Sequence, residues 1–209
     1  MARCLSGISV AMNRLATVNH LPHRGNAMST SAPTSAPEPA TGAAPPDFDS
    51  AYFRRALSQF ATGIAVVITR APDGEARGLT VNSFTSVSLE PPLVLWSLAN
   101  KARSMPAFMQ ASHYIVNVLG EHQADLALRF SQKVDDRFEA LAFDLSRTGL
   151  PILQGAVAWF ECRNRSRYQE GDHVILVGQV ERCHVNAHAR ALGFHGGRFV
   201  AIPSSGTQP

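Results

Sequence analysis

The sequence predicts a mainly β protein with flanking helices, closed as an antiparallel barrel rather than wound as a parallel sheet. Two observations point there. The most apolar segments are short and β-branched, such as IAVVIT (64–69) and HYIVNVL (113–119), the pattern of buried strands. Between them stand tight-turn signals, Pro72-Asp73-Gly74 and Glu170-Gly171-Asp172, each placed to join neighbouring strands as a hairpin.

Residues 1–46 should be disordered, because APTSAPEPATGAAPP has almost no large apolar side chains to offset its ordering entropy. The first thirty residues hold three arginines and no acid, as transit segments do. They lack a continuous apolar core with a cleavage site, so an unstructured extension, with a start at Met28, is the preferred reading. One folded domain is expected over 47–203, and a disordered tail over 204–209.

In DFDSAYFRRALSQF, Phe53, Leu57 and Phe60 fall at i, i+4 and i+7 on one helix face, with Asp49 or Ser50 as N-cap. Residues 64–69 then read as a buried strand, paired as a hairpin with the next. Two strands and a turn follow from Arg77. Pro91-Pro92 should prevent regular ladder pairing, and 93–98 is another buried strand. A short helix is expected over 104–111, with Pro106 in its first turn, where proline is tolerated. After the strand at 113–119 comes a helix over 121–131, with Ala124, Leu128 and Leu126 facing inward. A loop-rich section leads to two long strands, AVAWFECRNRSRYQ and DHVILVGQVERCHV, and a last short strand covers 198–202.

Composition narrows the function. A hydrophobic fraction of 45% with 17% charged residues fits a globular protein, and no stretch resembles a membrane span. The net charge of +3 is small and the basic residues form no run, which argues against a nucleic-acid footprint. Cys4, Cys162 and Cys183 form no C-x-x-C pair, so a reducing cytoplasm is the simplest compartment; Cys162 and Cys183 read as small core residues. No dinucleotide glycine motif, phosphate-binding lysine loop, zinc motif or serine elbow is present, and His184 with His188 lacks a third ligand.

What stands out is RGLTVNSFTSVSLEPPLVLWSL (77–98), an apolar stretch threaded with Thr80, Asn82, Ser83, Thr85, Ser86, Ser88 and Ser97. Small hydroxyls and an amide suit the edge of a planar heteroaromatic ring; they also suit cross-strand pairs on a wet sheet face. Lys101, Arg103 and Ser104 follow, just ahead of an expected helix N-terminus, where an anion is favoured. Together the two features point to a phosphorylated aromatic cofactor.

From about Phe53 to Ile202 the chain resembles the flavin reductase family with the FMN-binding split-barrel fold. The residues that carry the resemblance are FRRALSQFATGIAVV, GLTVNSFTSVSLEPPLV, the Arg-Ser pair at 103–104, YIVNVL, ALRFS, GDH at 171–173 and GGRF near the end. The resemblance implies a split antiparallel β-barrel that transfers hydride from NADH or NADPH to free FMN or FAD and supplies reduced flavin to a monooxygenase component. It implies that Thr80, Val81, Asn82 and Ser83 contact the isoalloxazine edge and ribityl chain. Ser97, Lys101, Arg103, Ser104, Arg129 and Lys133 would lie around the flavin phosphate, His173 near the nicotinamide, and Arg198 with Phe199 over the bound nucleotide. Many relatives carry tyrosine where this chain has His195. The resemblance further implies a homodimer with each flavin near the subunit interface. A split-barrel flavoprotein that retains its FMN for another substrate, and a non-catalytic flavin- or haem-binding module, are the alternatives.

Overall fold

The computed structural model describes residues 46–133, 136–186 and 188–203. The expected terminal extensions lie outside these residues, apart from Pro46. The seven strands of the main sheet are β2 (Ala65–Arg70), β3 (Ala76–Val81), β4 (Thr85–Leu89), β5 (Pro92–Ala99), β6 (His113–Val118), β9 (Ala158–Glu170) and β10 (His173–Val185). They hydrogen-bond in the order β3-β2-β6-β9-β10-β5-β4, antiparallel throughout. Two smaller sheets stand apart: β1 (Thr62–Gly63) with β11 (Leu192–His195) and β12 (Arg198–Ala201), and β7 (Phe143–Leu145) with β8 (Pro151–Leu153). The helices are α1 (Ser50–Leu57), α2 (Met105–Gln110) and α3 (Ala124–Ser131), the last preceded by a 3₁₀ turn at Glu121–Gln123.

The sheet curls around one of its own faces. Side chains alternate along a strand, and the inward set, Val67, Val81, Trp96, Tyr114, Cys162 and Leu176 among them, forms a single buried cluster plugged by Phe108 of α2. Trp96 meets Phe108 and Tyr114 edge-on, at ring-centroid distances of 4.9 and 5.7 Å. The two edge strands, β3 and β4, are consecutive in the chain. Phe84, in the link between them, packs across the interior on Phe160 of the middle strand β9, with centroids 5.3 Å apart. The barrel is therefore drawn together along a seam at β3 and β4, a split antiparallel barrel.

Among the described residues its outer face is covered on one side only. Val66 and Ile68 of β2 and Ile115 of β6 join Ala127 and Phe130 of α3, Leu153 of β8, and Leu192 and Phe194 of β11 in a second buried cluster. β2 is thus buried on both faces, which is why IAVVIT reads as an unbroken apolar run. On β5 and β10 the outward residues Leu93, Leu95, Ile175 and Val177 are only half-buried.

Several expectations change. The helix at α1 forms with Asp49 as N-cap, its carboxylate accepting from the Tyr52 N–H at 2.6 Å, yet none of its residues is buried and Phe53 and Phe60 are exposed. Pro91-Pro92 does not interrupt pairing: it closes a tight hairpin whose ladder begins at Leu89 opposite Pro92. In α3 the buried residues are Ala127 and Phe130; Ala124 and Leu126 pack partly against the same cluster, whereas Leu128 is half-buried and not part of it. Cys162 is buried as expected, whereas Cys183 is exposed near the far end of β10. Strands β1, β7, β8 and β11 have no counterpart in the sequence reading.

Gly178 has no room for a side chain. A Cβ there would lie 2.1 Å from the Tyr114 hydroxyl. Among the described residues that hydroxyl makes no well-formed hydrogen bond, and burial pushes its pKa far above the usual phenol value.

Candidate functional site

The C-terminal end of β5 gathers most of the residues singled out from the sequence. Ser97 sits opposite Ile175 and Ala99 opposite His173 in the β5–β10 ladder. The Ser97 N–H donates to the Ser83 hydroxyl at 3.0 Å, tying the β3–β4 link to the same place. Beyond the ladder the Asn100 N–H donates to the Asp172 carbonyl at 2.9 Å and its Nδ2 reaches the Gly171 carbonyl at 3.4 Å. Gly171 takes a left-handed φ of 56°, which closes the β9–β10 turn beside Asn100. The segment from 101 to 104 is therefore held against the hairpin tip that carries His173.

Strand β9 fixes the other end of this segment. Asn164 Nδ2 donates to the carbonyls of Phe108 and Ala111 at 2.9 and 3.2 Å, and Arg167 Nη2 donates to Ala111 at 3.1 Å. A six-residue helix is too short to persist alone; these bonds satisfy its exposed C-terminal carbonyls and fix α2. Ser104 is the buried N-cap residue of α2, and its side chain makes no capping bond.

The hydroxyls themselves are used within the protein. Thr80 Oγ1 donates to the Ala127 carbonyl of α3 at 2.7 Å, Ser83 is engaged with Ser97, and Val81 fills the barrel interior. What β3 offers outward is backbone: as an edge strand it leaves alternate N–H and C=O groups without ladder partners. Asn82 is 5% exposed, and its Oδ1 is buried with no hydrogen-bond partner among the described residues.

His173 is half-buried, its Nδ1 2.6 Å from Asp172 Oδ1. Hydrogen bonding and charge from His173, with help from Lys101, hold the Asp172 carboxyl below its ordinary pKa. Lys101 and Arg103 are exposed at this rim.

On the other side of β3, Arg129 of α3 donates to the carbonyls of Asp136 and Glu139 at 2.9 and 2.7 Å, so its guanidinium braces the following loop; Lys133 is exposed. Arg137, which the sequence reading missed, donates from Nη1 to the Gly78 carbonyl of β3 at 2.6 Å. Arg198 and Phe199 lie elsewhere, on the β11–β12 hairpin: Arg198 is exposed and Phe199 packs at 6.0 Å from Phe194 against the outer core. Among the described residues no hydrogen bond or ring contact links either to Asn82, Ser97 or His173.

Two clefts accompany this arrangement. One, of about 320 Å³, is lined by Arg70, Gln110, His113 and Thr148; the other, of about 370 Å³, by Leu126, Arg129, Leu141 and Leu153. Neither of these two clefts contains Asn82, Ser97, Arg103 or His173. Among the described residues no group of three potential metal ligands occurs, and no helix is long and apolar enough to cross a membrane.

The residues present suit a phosphorylated flavin in kind. Asn82 supplies a buried acceptor in need of a donor, the β3 edge supplies backbone donors and acceptors, and Lys101 and Arg103 are exposed beyond the end of β5. The match to known proteins agrees. Residues 57–203 match the family model of the flavin reductase like domain. An FMN reductase (NADH) of Agrobacterium fabrum is 42% identical over 151 residues, covering 72% of this chain and 85% of that one. Among solved structures, the styrene monooxygenase flavin reductase of Pseudomonas putida superposes with a TM-score of 0.66 at 40% identity, over 72% of this chain and 97% of that one. An NADH:FAD oxidoreductase of Streptomyces globisporus, solved with NAD and FAD fragments, does so with a TM-score of 0.71 at 34% identity, over 76% and 95%. This chain is thus a split-barrel oxidoreductase of the flavin-handling kind. It belongs to the flavin reductase like family.

Proposed function

We propose that the protein reduces free flavin, FMN or FAD, at the expense of NADH or NADPH and releases the reduced flavin to a monooxygenase component. Membership of the flavin reductase family supports this, as does the observation that carries the reading locally: one rim, at the end of β5, holds Ser83, Ser97, the 101–104 segment and His173 together. Flavin and nicotinamide supply the hydride chemistry, so the protein needs no strong acid or base there. Its work is to hold two rings in register and to place donors where negative charge develops.

In this reading the β3 edge from Thr80 to Ser83 presents backbone donors to the ring and its tail, while Thr80 and Ser83 fix that edge through their hydroxyls. Lys101, Arg103, Ser104 and Lys133 provide charge and donors for phosphate, Arg129 bracing the loop behind them. His173, steadied by Asp172, orients the nicotinamide. Arg198 and Phe199 reach the nucleotide only from a different subunit or after a movement of their hairpin.

A homodimer completes the site. The outward residues of β5 and β10 are half-buried though apolar, and Phe48, Tyr52, Phe53 and Phe60 around α1 are exposed. Apolar area of this kind is what a second copy covers. A cytoplasmic location fits the free thiols of Cys162 and Cys183.

The test is NADH and NADPH oxidation followed at 340 nm with riboflavin, FMN and FAD in turn, alongside gel filtration of the purified protein with flavin. Turnover dependent on added flavin, with flavin lost on the column, is the expected result. Stoichiometric FMN retained on the column without flavin-dependent turnover would refute it.

A further inference from the structure

Residues 100–112 join β5 to β6 and carry Arg103, Ser104 and α2. One hairpin holds both ends of this insert. At its start the Asn100 N–H and Nδ2 donate to the carbonyls of Asp172 and Gly171, at the β9–β10 tip, at 2.9 and 3.4 Å. At its end the Asn164 N–H of β9 donates to the Ser112 carbonyl at 2.8 Å. Asn164 Nδ2 and Arg167 Nη2 both donate to the carbonyl of Ala111, the C-cap residue of α2, at 3.2 and 3.1 Å. The six residues of α2 span about 9 Å, so a tilt imposed at Ala111 is carried to Ser104.

The bond from Arg167 is a poor source of stability. The Ala111 carbonyl already accepts from Asn164, so Arg167 supplies a second donor to a satisfied group. Meanwhile the Arg167 Nε–H is buried with no partner among the described residues, and no carboxylate among them lies within ion-pair distance of Arg167. A buried unpaired donor and a half-buried unpaired charge both cost free energy. A methionine of similar length would avoid both. What the arginine adds is direction, because its rigid planar fork bonds at a set angle and fixes the last turn of α2 against β9.

We propose that Arg167 is a positioning residue for phosphate recognition: from β9 it orients α2, so that Arg103 and Ser104 at the opposite end meet the flavin phosphoryl group already ordered. The inference rests on the flavin reductase reading and adds to it a residue outside the rim. Ser104 is suited to such control. It is buried and its side chain makes no capping bond, so the backbone of α2 sets where its hydroxyl stands. Phe108, packed on Trp96 at 4.9 Å, keeps the helix on the barrel, and Arg167 sets its angle there.

The test is equilibrium quenching of flavin fluorescence, without nicotinamide, for riboflavin, FMN and FAD, alongside urea denaturation of the same proteins. Wild-type protein should bind FMN and FAD more tightly than riboflavin. Arg167→Met should raise the Kd for FMN and FAD about fivefold, the effect of having to order a side chain on binding, and leave riboflavin within about twofold. Its urea midpoint should be no lower than that of wild type. Arg167→Lys, which keeps a donor without the fork, should recover part of the lost affinity. An equal loss for all three flavins, or no loss for any, would overturn the proposal. A methionine variant that fails to fold or unfolds at clearly lower urea would make Arg167 a structural strap and overturn it too. So would a wild-type protein indifferent to phosphate, a result that leaves flavin reduction itself standing. Failure of wild type to bind any flavin would overturn both readings.

Discussion

The outer face of the barrel sheet has two halves built from similar sequence and treated differently. On the β2–β6 half, Val66, Ile68 and Ile115 are sealed beneath α3, β8 and β11. On the β5–β10 half, Leu93, Leu95, Ile175 and Val177 are apolar too, yet among the described residues nothing seals them. IAVVIT and HVILV are equally hydrophobic runs, so the difference lies in what the chain folds back over them. The sealed half is core; the unsealed half carries Ser97 and His173 and is where the proposed site and the proposed contact with a second copy would meet.

The largest effect should come from opening the sealed half. Phe130 is 1% exposed and lies against Gly78 and Ile68 of the covered strands. Phe130→Ala should cost about 3–5 kcal/mol in chemical denaturation, whatever the protein concentration. A loss below about 1 kcal/mol would show that this cluster is not a core.

The unsealed half should respond through assembly. Leu95→Ser with Ile175→Ser should shift the mass seen by analytical ultracentrifugation from dimer to monomer at micromolar protein and leave the circular dichroism of the monomer unchanged. If the double variant remains a dimer, the interface lies elsewhere, and the exposed aromatic face of α1 becomes its next location.

Within the same half, His173→Ala should slow flavin reduction by NADH about tenfold in stopped flow, equivalent to about 1.4 kcal/mol of barrier, with flavin affinity changed far less. Asp172 has a depressed pKa in the folded protein. Its contribution to stability is therefore present above the ordinary aspartate value near 3.9 and lost only as pH falls through the lower folded value. The His173–Asp172 contact should accordingly survive at pH 5, and a pH titration of reduction should show no loss from Asp172 above pH 4.

The smallest effect belongs to the interior. Tyr114→Phe removes a buried hydroxyl that makes no well-formed hydrogen bond among the described residues and that lies close to Gly178, so stability should change by less than about 1 kcal/mol or rise. A large loss would mean that the hydroxyl has a bound water or partner worth keeping.

Much of this was readable in the sequence, and the exceptions have physical causes. The β2–β3 and β9–β10 hairpins were legible because their turns have one chemistry and their strands one period. The α1 face was legible as a stripe, but periodicity states which side of a helix is apolar, not what covers it. Strand β11 was missed because Leu192, Gly193 and Phe194 make too short a pattern, and it forms by pairing with Arg198–Ala201 on one side and Thr62–Gly63 on the other. The polar stretch and Lys101, Arg103 and Ser104 stood out from the residues themselves, and His173, Arg129, Lys133, Arg198 and Phe199 came only from the family resemblance. Thr80 and Ser83 read as ligand groups, yet their hydroxyls tie β3 to α3 and β5. Arg137 sits in a polar loop with no repeating signal; only the fold brings it against Gly78.

The central claim is that the rim from Thr80 to Arg103 holds a phosphorylated flavin. It is tested most directly by titrating FMN and FAD into wild-type protein and Arg103→Ala while following flavin fluorescence. The account predicts saturable quenching by wild type and a rise in Kd of about five- to thirtyfold in the variant, about 1–2 kcal/mol for a charge-assisted contact. Saturable quenching with the same Kd in both proteins would contradict the phosphate assignment, and no quenching at high micromolar protein would contradict the site.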